Sequence, residues 1–191
     1  SGDCTAPPPE FEYNQSTLQA FYYFNNVTIA GASIDPIDWV GAFNGDVCVG
    51  SYQWNTSECN SGICEVPVMG YDGWAETAGY MGIGQTPTFK IYDSSADVFY
   101  DAVPSEYNAW AINAFYTIES LNGIIYACMD ANACNYNADA NQDDGNCEYP
   151  EENHDCDGVC TVTVDCAGVC AGSAALDECN VCNGDNSSCA D

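Results

Sequence analysis

The chain has 191 residues, 47% of them apolar, enough for one ordinary domain with a real core plus a smaller module. Its formal net charge is −28, and Lys90 and His154 are its one Lys/Arg and its one His. Nucleic acid and anionic membrane surfaces are therefore excluded as direct partners, since both need clustered Lys and Arg.

From the N-terminus, Cys4-Thr5-Ala6-Pro7-Pro8-Pro9 reads as an extended leader, continuing through Glu10-Phe11-Glu12-Tyr13. That segment is expected to be free to lie along the sheet edge of a neighbouring molecule. Leu18–Phe24 running into Val27–Ile29 reads as strand, because its aromatic and β-branched residues outweigh a short helical pattern at Leu18–Phe21. Trp39–Phe43, Asn44-Gly45 and Asp46–Tyr52 read as a hairpin, Asn-Gly being the strongest short turn signal. Further strands are expected at Ile63–Met69, Thr86–Tyr92 and Val98–Tyr100. A second Asn-Gly turn, Asn122-Gly123, is expected between Trp110–Ile118 and Ile124–Tyr126. In Thr86–Tyr92, Phe89 and Ile91 alternate with Thr88, Lys90 and Tyr92, which predicts Phe89 and Ile91 buried beside Val40 or Phe43. The fold class that follows is all-β, a β-sandwich (Ig-like or jelly-roll-like) over residues 1–127, then a small disulfide-rich, irregular repeat tail over residues 128–191.

Fourteen cysteines, an even number, imply a disulfide framework formed in an oxidising compartment. They are Cys4, Cys48, Cys59 and Cys64 in the first zone and Cys128, Cys134, Cys147, Cys156, Cys160, Cys166, Cys170, Cys179, Cys182 and Cys189 in the tail. Local pairing is expected, Cys59 with Cys64 included. Zinc is disfavoured, since Cys179-x2-Cys182 is a single knuckle and His154 is alone. No signal peptide or apolar run of transmembrane length is present, so no membrane insertion is expected. Ser1 then either follows a processing site or belongs to a longer chain. The tail repeats itself: Asp155-Cys156-Asp157-Gly158-Val159-Cys160 recurs as Asp165-Cys166-Ala167-Gly168-Val169-Cys170, and more loosely as Asp177-Glu178-Cys179-Asn180-Val181-Cys182.

Ala133-Cys134-Asn135-Tyr136-Asn137, Asp143-Asp144-Gly145-Asn146-Cys147 and Asp155–Cys160 resemble the calcium- and cysteine-rich repeat tails of large secreted proteins of aquatic bacteria. Asp38-Trp39-Val40-Gly41-Ala42-Phe43-Asn44-Gly45-Asp46-Val47-Cys48-Val49-Gly50 resembles the β-sandwich domains that accompany such tails. The segment Asp177–Cys189 is similar to part of the cysteine-rich region of ADAMTS-type proteins, without implying a protease. Together the resemblances imply extracellular or cell-surface architecture.

The unbalanced acidic residues have two readings, a solubilising surface or a supply of oxygen ligands for divalent metal. The calcium candidates are Asp139, Asn141, Asp143, Asp144 and Glu148, with Asp130, Asn132 and Asn137 able to join them. Asp139-x-Asn141-x-Asp143 begins like an EF-type loop, but Asp144 stands where that loop needs Gly, so a loop resembling thrombospondin type 3 calcium repeats fits better. Trp54, Tyr71, Trp74 and Tyr80 lie in Gly- and Asn-rich stretches, where flat rings stack on sugars, anchor subunit contacts or simply fill a core. Sequons at Asn14, Asn26, Asn55 and Asn186 are candidate glycosylation sites on an exposed surface. No catalytic residue stands out: Ser-His-Asp and Cys-His arrangements both depend on His154, and no carboxylate pair is singled out. The expected function is that of a secreted extracellular structural protein, not an enzyme, self-associating as a homopolymer into a filament or surface assembly supported by calcium. The alternative is a carbohydrate-binding (cell-adhesion) module of a larger secreted protein, with glycans as partners.

Overall fold

In a computed structural model, residues 6–189 are described, the side chains of Asn60 and Cys189 excepted. The chain divides into two compact units, Ser1–Ile125 and Tyr126–Asp191. The first is all-β. Its strands are β1 (Gln19–Ile29), β2 (Ala32–Ser33), β3 (Trp39–Asn44), β4 (Val47–Gln53), β5 (Cys64–Met69), β6 (Thr88–Asp93), β7 (Val98–Pro104) and β8 (Phe115–Gly123). They form one mixed, strongly curled sheet of eight strands in the order β2-β1-β8-β7-β6-β3-β4, with β5 also paired to β1. β1 is the pivot. Antiparallel β5 and β2 share one of its edges, and parallel β8 runs along the other from Phe21↔Phe115 to Ile29↔Gly123.

Strand alternation explains the core. Tyr22 and Phe24 from β1, Val40 and Ala42 from β3, Val49 from β4, Val66 and Val68 from β5, Phe89 and Ile91 from β6, and Ile118 and Leu121 from β8 all enter one buried cluster. A single sheet whose strands all point into one cluster must curl around it, which gives the layered interior of a sandwich from one continuous sheet. The curl brings β4 onto β5 so tightly that a Cβ on Gly50 would collide with the Pro67 carbonyl oxygen. Each fully buried large side chain contributes roughly 1.5–3 kcal/mol. Trp110 is also buried in the cluster, and its indole N–H donates to the Val68 carbonyl at 2.9 Å.

Three strand and turn expectations are corrected. Asn122 and Gly123 are not a turn; they pair with Val103 and Ala102 of β7 and with Thr28 and Ile29 of β1. Two neighbouring strands hold these residues extended, overriding the local Asn-Gly preference. Trp110 lies before β8 in an irregular segment, where Trp110 N–H donates to Gln85 O and Gly84 N–H donates to Trp110 O. The β3–β4 loop is Gly45-Asp46, since Asn44 already pairs with Val47.

The leader is not free along Glu10–Tyr13. Pro9–Phe11 forms a 3-10 turn, and Phe11 is completely buried on the outer face of its own sheet. Its ring packs edge-on against Phe43 and Tyr92 and against Phe99, and its carbonyl accepts the Ser51 hydroxyl at 2.9 Å. Residues 1–5, Cys4 among them, lie outside the described residues.

Candidate functional site

The second unit has almost no core: of its described residues only Cys128 and Ala133 are buried apolar positions. Its order comes from covalent bonds and carboxylates. Cys128–Cys147, Cys134–Cys156, Cys160–Cys170 and Cys166–Cys182 are joined, and Cys179 is also disulfide-bonded. In the first unit Cys59 is joined to Cys64. These bridges fit an oxidising, extracellular environment. β9 (Tyr126–Ala127) and β10 (Gln142–Asp143) add one short parallel pair.

The three sequence repeats are three copies of one turn. In each, the Asp backbone N–H donates to the carbonyl four residues on: Asp155 to Val159, Asp165 to Val169, Asp177 to Val181. The residue before each Asp bridges to the second cysteine: His154 to Cys160, Val164 to Cys170, Leu176 to Cys182. The third residue after each Asp has positive φ and is Gly158, Gly168 or Asn180, residue types that tolerate that conformation. Each Asp Oδ1 accepts two backbone N–H groups, those of Asp157 and Val159, Ala167 and Val169, or Cys179 and Val181.

The second and third copies go further. Asp165 Oδ2 accepts the Ala174 N–H and Asp177 Oδ2 accepts the Asn186 N–H, both at 3.0 Å. These carboxylates pass where a side chain on Gly172 or Gly184 would sit, since a Cβ there would overlap Asp165 Oδ2 or Asp177 Oδ2. Repeat one has Val162 at the equivalent position, and Asp155 makes only the first two bonds. Bonds to the ionised form hold the Asp165 carboxyl below its ordinary range, chiefly through Val169 N–H, and the Asp177 carboxyl likewise, chiefly through Val181 N–H. Composition alone gave no hint of this role; the Asp-to-Gly spacing of seven residues was the available signal.

The disulfides chain these turns together. Cys160 of the first joins Cys170 of the second, Cys166 of the second joins Cys182 of the third, and Cys156 of the first joins back to Cys134. Each turn is thereby crosslinked to the next.

The calcium candidates are held in local hydrogen bonds. Asp130 Oδ1 accepts both nitrogens of Asn132, and its Oδ2 accepts the Tyr149 hydroxyl at 2.8 Å. Asn132 N–H and the Tyr149 hydroxyl lower the Asp130 carboxyl. Asn137 caps Asp139 N–H, Asp143 caps Gly145 N–H and Asp144 caps Asn146 N–H, each closing its own loop. Asn141 is also engaged, and the Glu148 backbone pairs with Asn135 and Cys134. Among the described residues, no group of three or more His, Cys, Asp or Glu converges as a metal site. His154, with Glu148, Tyr149 and Asp155, lines an open cleft of about 410 Å³, where its Nδ1 lies 2.9 Å from the Glu152 carbonyl.

The four aromatics divide. Trp54 and Tyr80 are core residues, and the Tyr80 hydroxyl accepts the Asn14 backbone N–H at 2.6 Å. Tyr71 is exposed and Trp74 is 70% exposed. Overlooked in the sequence was the outer face of β1 and β8. There Phe21 stacks on Phe115 with 16° between planes, and Tyr23 lies at 23° to Phe115, which is 66% exposed. Of the sequons, Asn14 donates its side-chain N–H to the Glu76 carbonyl, and Asn55 Oδ1 accepts both the N–H and the hydroxyl of Ser57. Asn26 is exposed on β1, and Asn186 Oδ1 accepts the Glu178 N–H.

The sequence matches no protein-family model, no curated protein and no solved structure. Among the described residues, no helix is long and apolar enough to cross a membrane.

Proposed function

We propose that this is an extracellular, non-catalytic structural protein that associates with copies of itself through its disulfide-chained tail. One observation carries the reading: Val159, Val162, Val164, Val169, Leu176 and Val181 stand 42–59% exposed on a backbone that disulfides hold in place. A flexible tail would collapse to hide such side chains. A crosslinked one can hide them only against another surface, and exposed apolar side chains that form a contiguous patch mark interaction sites. The turns recur along the tail, so a second copy offers matching apolar positions. The net charge of −28 opposes association of like chains, so added salt or divalent cations strengthen it by screening. Calcium enters this reading as a cation that screens the acidic surface and bridges copies.

The test is light scattering and negative-stain microscopy of the full chain across protein concentration, with and without calcium and chelator. Ordered multimers are expected, larger with calcium; a monomer under all these conditions contradicts the reading.

A second reading, glycan binding, rests on the Phe21, Tyr23 and Phe115 rings of the outer β1–β8 face. It predicts that oligosaccharides protect Tyr23 from modification and that Phe115→Ala removes the protection.

A further inference from the structure

We propose that residues 115–119 of β8 form an open sheet edge on which a second copy of the chain adds the same strand, antiparallel about a two-fold axis. This contact lies on the sheet unit; it goes beyond the tail contact and stands without it.

In the strand order β8 is flanked on both sides, by β1 and by β7. The flanking is uneven. β1 runs along β8 from Phe115 to Gly123, whereas β7 pairs with Leu121, Asn122 and Gly123 and ends at Pro104. Ser105 N–H adds one further bond, to Ser120 O at 2.8 Å. Among the described residues, 115–119 are therefore paired with β1 alone. Phe21 N–H donates to Ala114 O. Backbone groups alternate along a strand, so Ala114 and Tyr116 face β1, while Phe115 and Thr117 turn their N–H and C=O the other way.

Open edges invite another strand, and proteins guard them with charge, proline, shortness or cover. The other edges of this sheet are guarded. β2 is 2 residues long. β4 has the leader against it, with the Ser51 hydroxyl donating to the Phe11 carbonyl at 2.9 Å. β5 carries Pro67, and β4 packs tightly onto it at Gly50. Residues 115–118 have no charge and no proline, and Glu119, which follows them, accepts the Asn25 side-chain N–H at 2.8 Å.

Charge selects the occupant. The chain carries −28, so copies repel wherever carboxylates meet. Residues 13–34 and 107–118 hold no charged side chain, and the two stretches adjoin, since Asn113 N–H donates to Gln19 O and Phe21 N–H to Ala114 O. A copy approaches here without setting carboxylate against carboxylate, whereas a basic partner finds no counter-charge to hold it. Tyr107, Ile112 and Phe115 are exposed on this charge-free stretch and gain cover. A two-fold axis at Tyr116 sets Phe115 opposite Thr117 of the second copy, and the two exchange their outward N–H and C=O groups. Glu119 then falls opposite Asn113 rather than its own counterpart. The Phe21–Phe115 ring stack, 5.3 Å between centroids, continues toward the same stack of the copy. With this two-fold contact and a separate tail contact, each copy has two surfaces, and the assembly stays open-ended instead of closing as a dimer.

The test is hydrogen exchange and sedimentation velocity of the full chain across protein concentration. The Phe115 and Thr117 amides are expected to exchange freely in dilute protein and to become protected as the chain associates. Thr117→Pro removes an outward N–H and no bond to β1. It is expected to lose the Phe115 protection and the largest species, with unchanged β-sheet circular dichroism. Thr117→Glu, which keeps the N–H and adds like charge, is expected to weaken association at low salt and to recover at high salt. In a chain carrying Val159→Thr, Val169→Thr and Val181→Thr, dimers are expected to remain and to vanish when Thr117→Pro is added, which separates failure of the tail contact from failure of this one. Phe115 and Thr117 amides that exchange equally fast at every concentration, an unchanged distribution of species for Thr117→Pro, or a chain that stays monomeric throughout overturns the proposal.

Discussion

The sheet unit and the tail unit reach order by opposite means. Residues 19–123 curl one sheet around Tyr22, Phe24, Trp110, Ile118 and Leu121, and most of the order follows from excluding water. Residues 126–189 bury almost nothing; disulfides restrict the unfolded chain, and Asp carboxylates gather loop N–H groups. A core tolerates the loss of any one crosslink but not of a large buried side chain. A stapled tail shows the reverse pattern.

Reduction separates the two most sharply. Each native disulfide removed from a small domain costs about 2–5 kcal/mol, and the tail has little else. Hydrogen exchange with a thiol reductant present is expected to show lost amide protection over residues 126–189 with β1, β6 and β8 still protected. Simultaneous loss in both units would break the contrast. The converse perturbation is Trp110→Ala. It removes a fully buried indole and its bond to Val68, and is expected to destabilise the sheet unit by about 3–5 kcal/mol in denaturant unfolding. The tail's disulfide map should be unchanged.

Smaller effects lie inside the tail. Gly172→Ala forces a methyl group into the path of the Asp165 carboxylate. Exchange at Ala174 N–H is expected to quicken, while the first turn, where Val162 already occupies the equivalent position, stays unchanged. Equal quickening at Val159 N–H would show that the turns are not separately held. Acid gives the mildest test. The Asp165 and Asp177 carboxyls lie below the ordinary value of 3.8. Their stabilisation is therefore fully present above that value and lost as pH falls through the lowered folded-state values. Tail proteolysis by an acid-active protease is expected to accelerate below about pH 3.8. Asp165→Asn should show that faster cleavage already above pH 3.8, within the protease's working range, with less further change on acidification.

Much of the sheet was legible because alternation is a local signal. Phe89, Ile91 and Val40 face the core as their period-two pattern requires. What escaped was set by distant partners. Asn122 and Gly123 look like a turn until β1 and β7 are placed on either side. Phe11, in a proline-rich leader, shows no periodicity, yet it is fully buried against Phe43, Tyr92 and Phe99. In the tail, the repeat was visible and its chemistry was not. Asp155, Asp165 and Asp177 read as surface charge or metal ligands, whereas their oxygens close the turns. The Gly172 and Gly184 positions acquire meaning only once Asp165 Oδ2 and Asp177 Oδ2 are seen passing over them.

The central claim is that a crosslinked tail exposes aliphatic side chains because another copy covers them. Sedimentation velocity of the full chain against the triple variant Val159→Thr, Val169→Thr and Val181→Thr tests it most directly. Threonine keeps shape and charge while adding a hydroxyl to each exposed position. The account predicts multimers for the native sequence and a shift toward monomer for the variant, with an unchanged disulfide map. The same distribution of species for both proteins would contradict it.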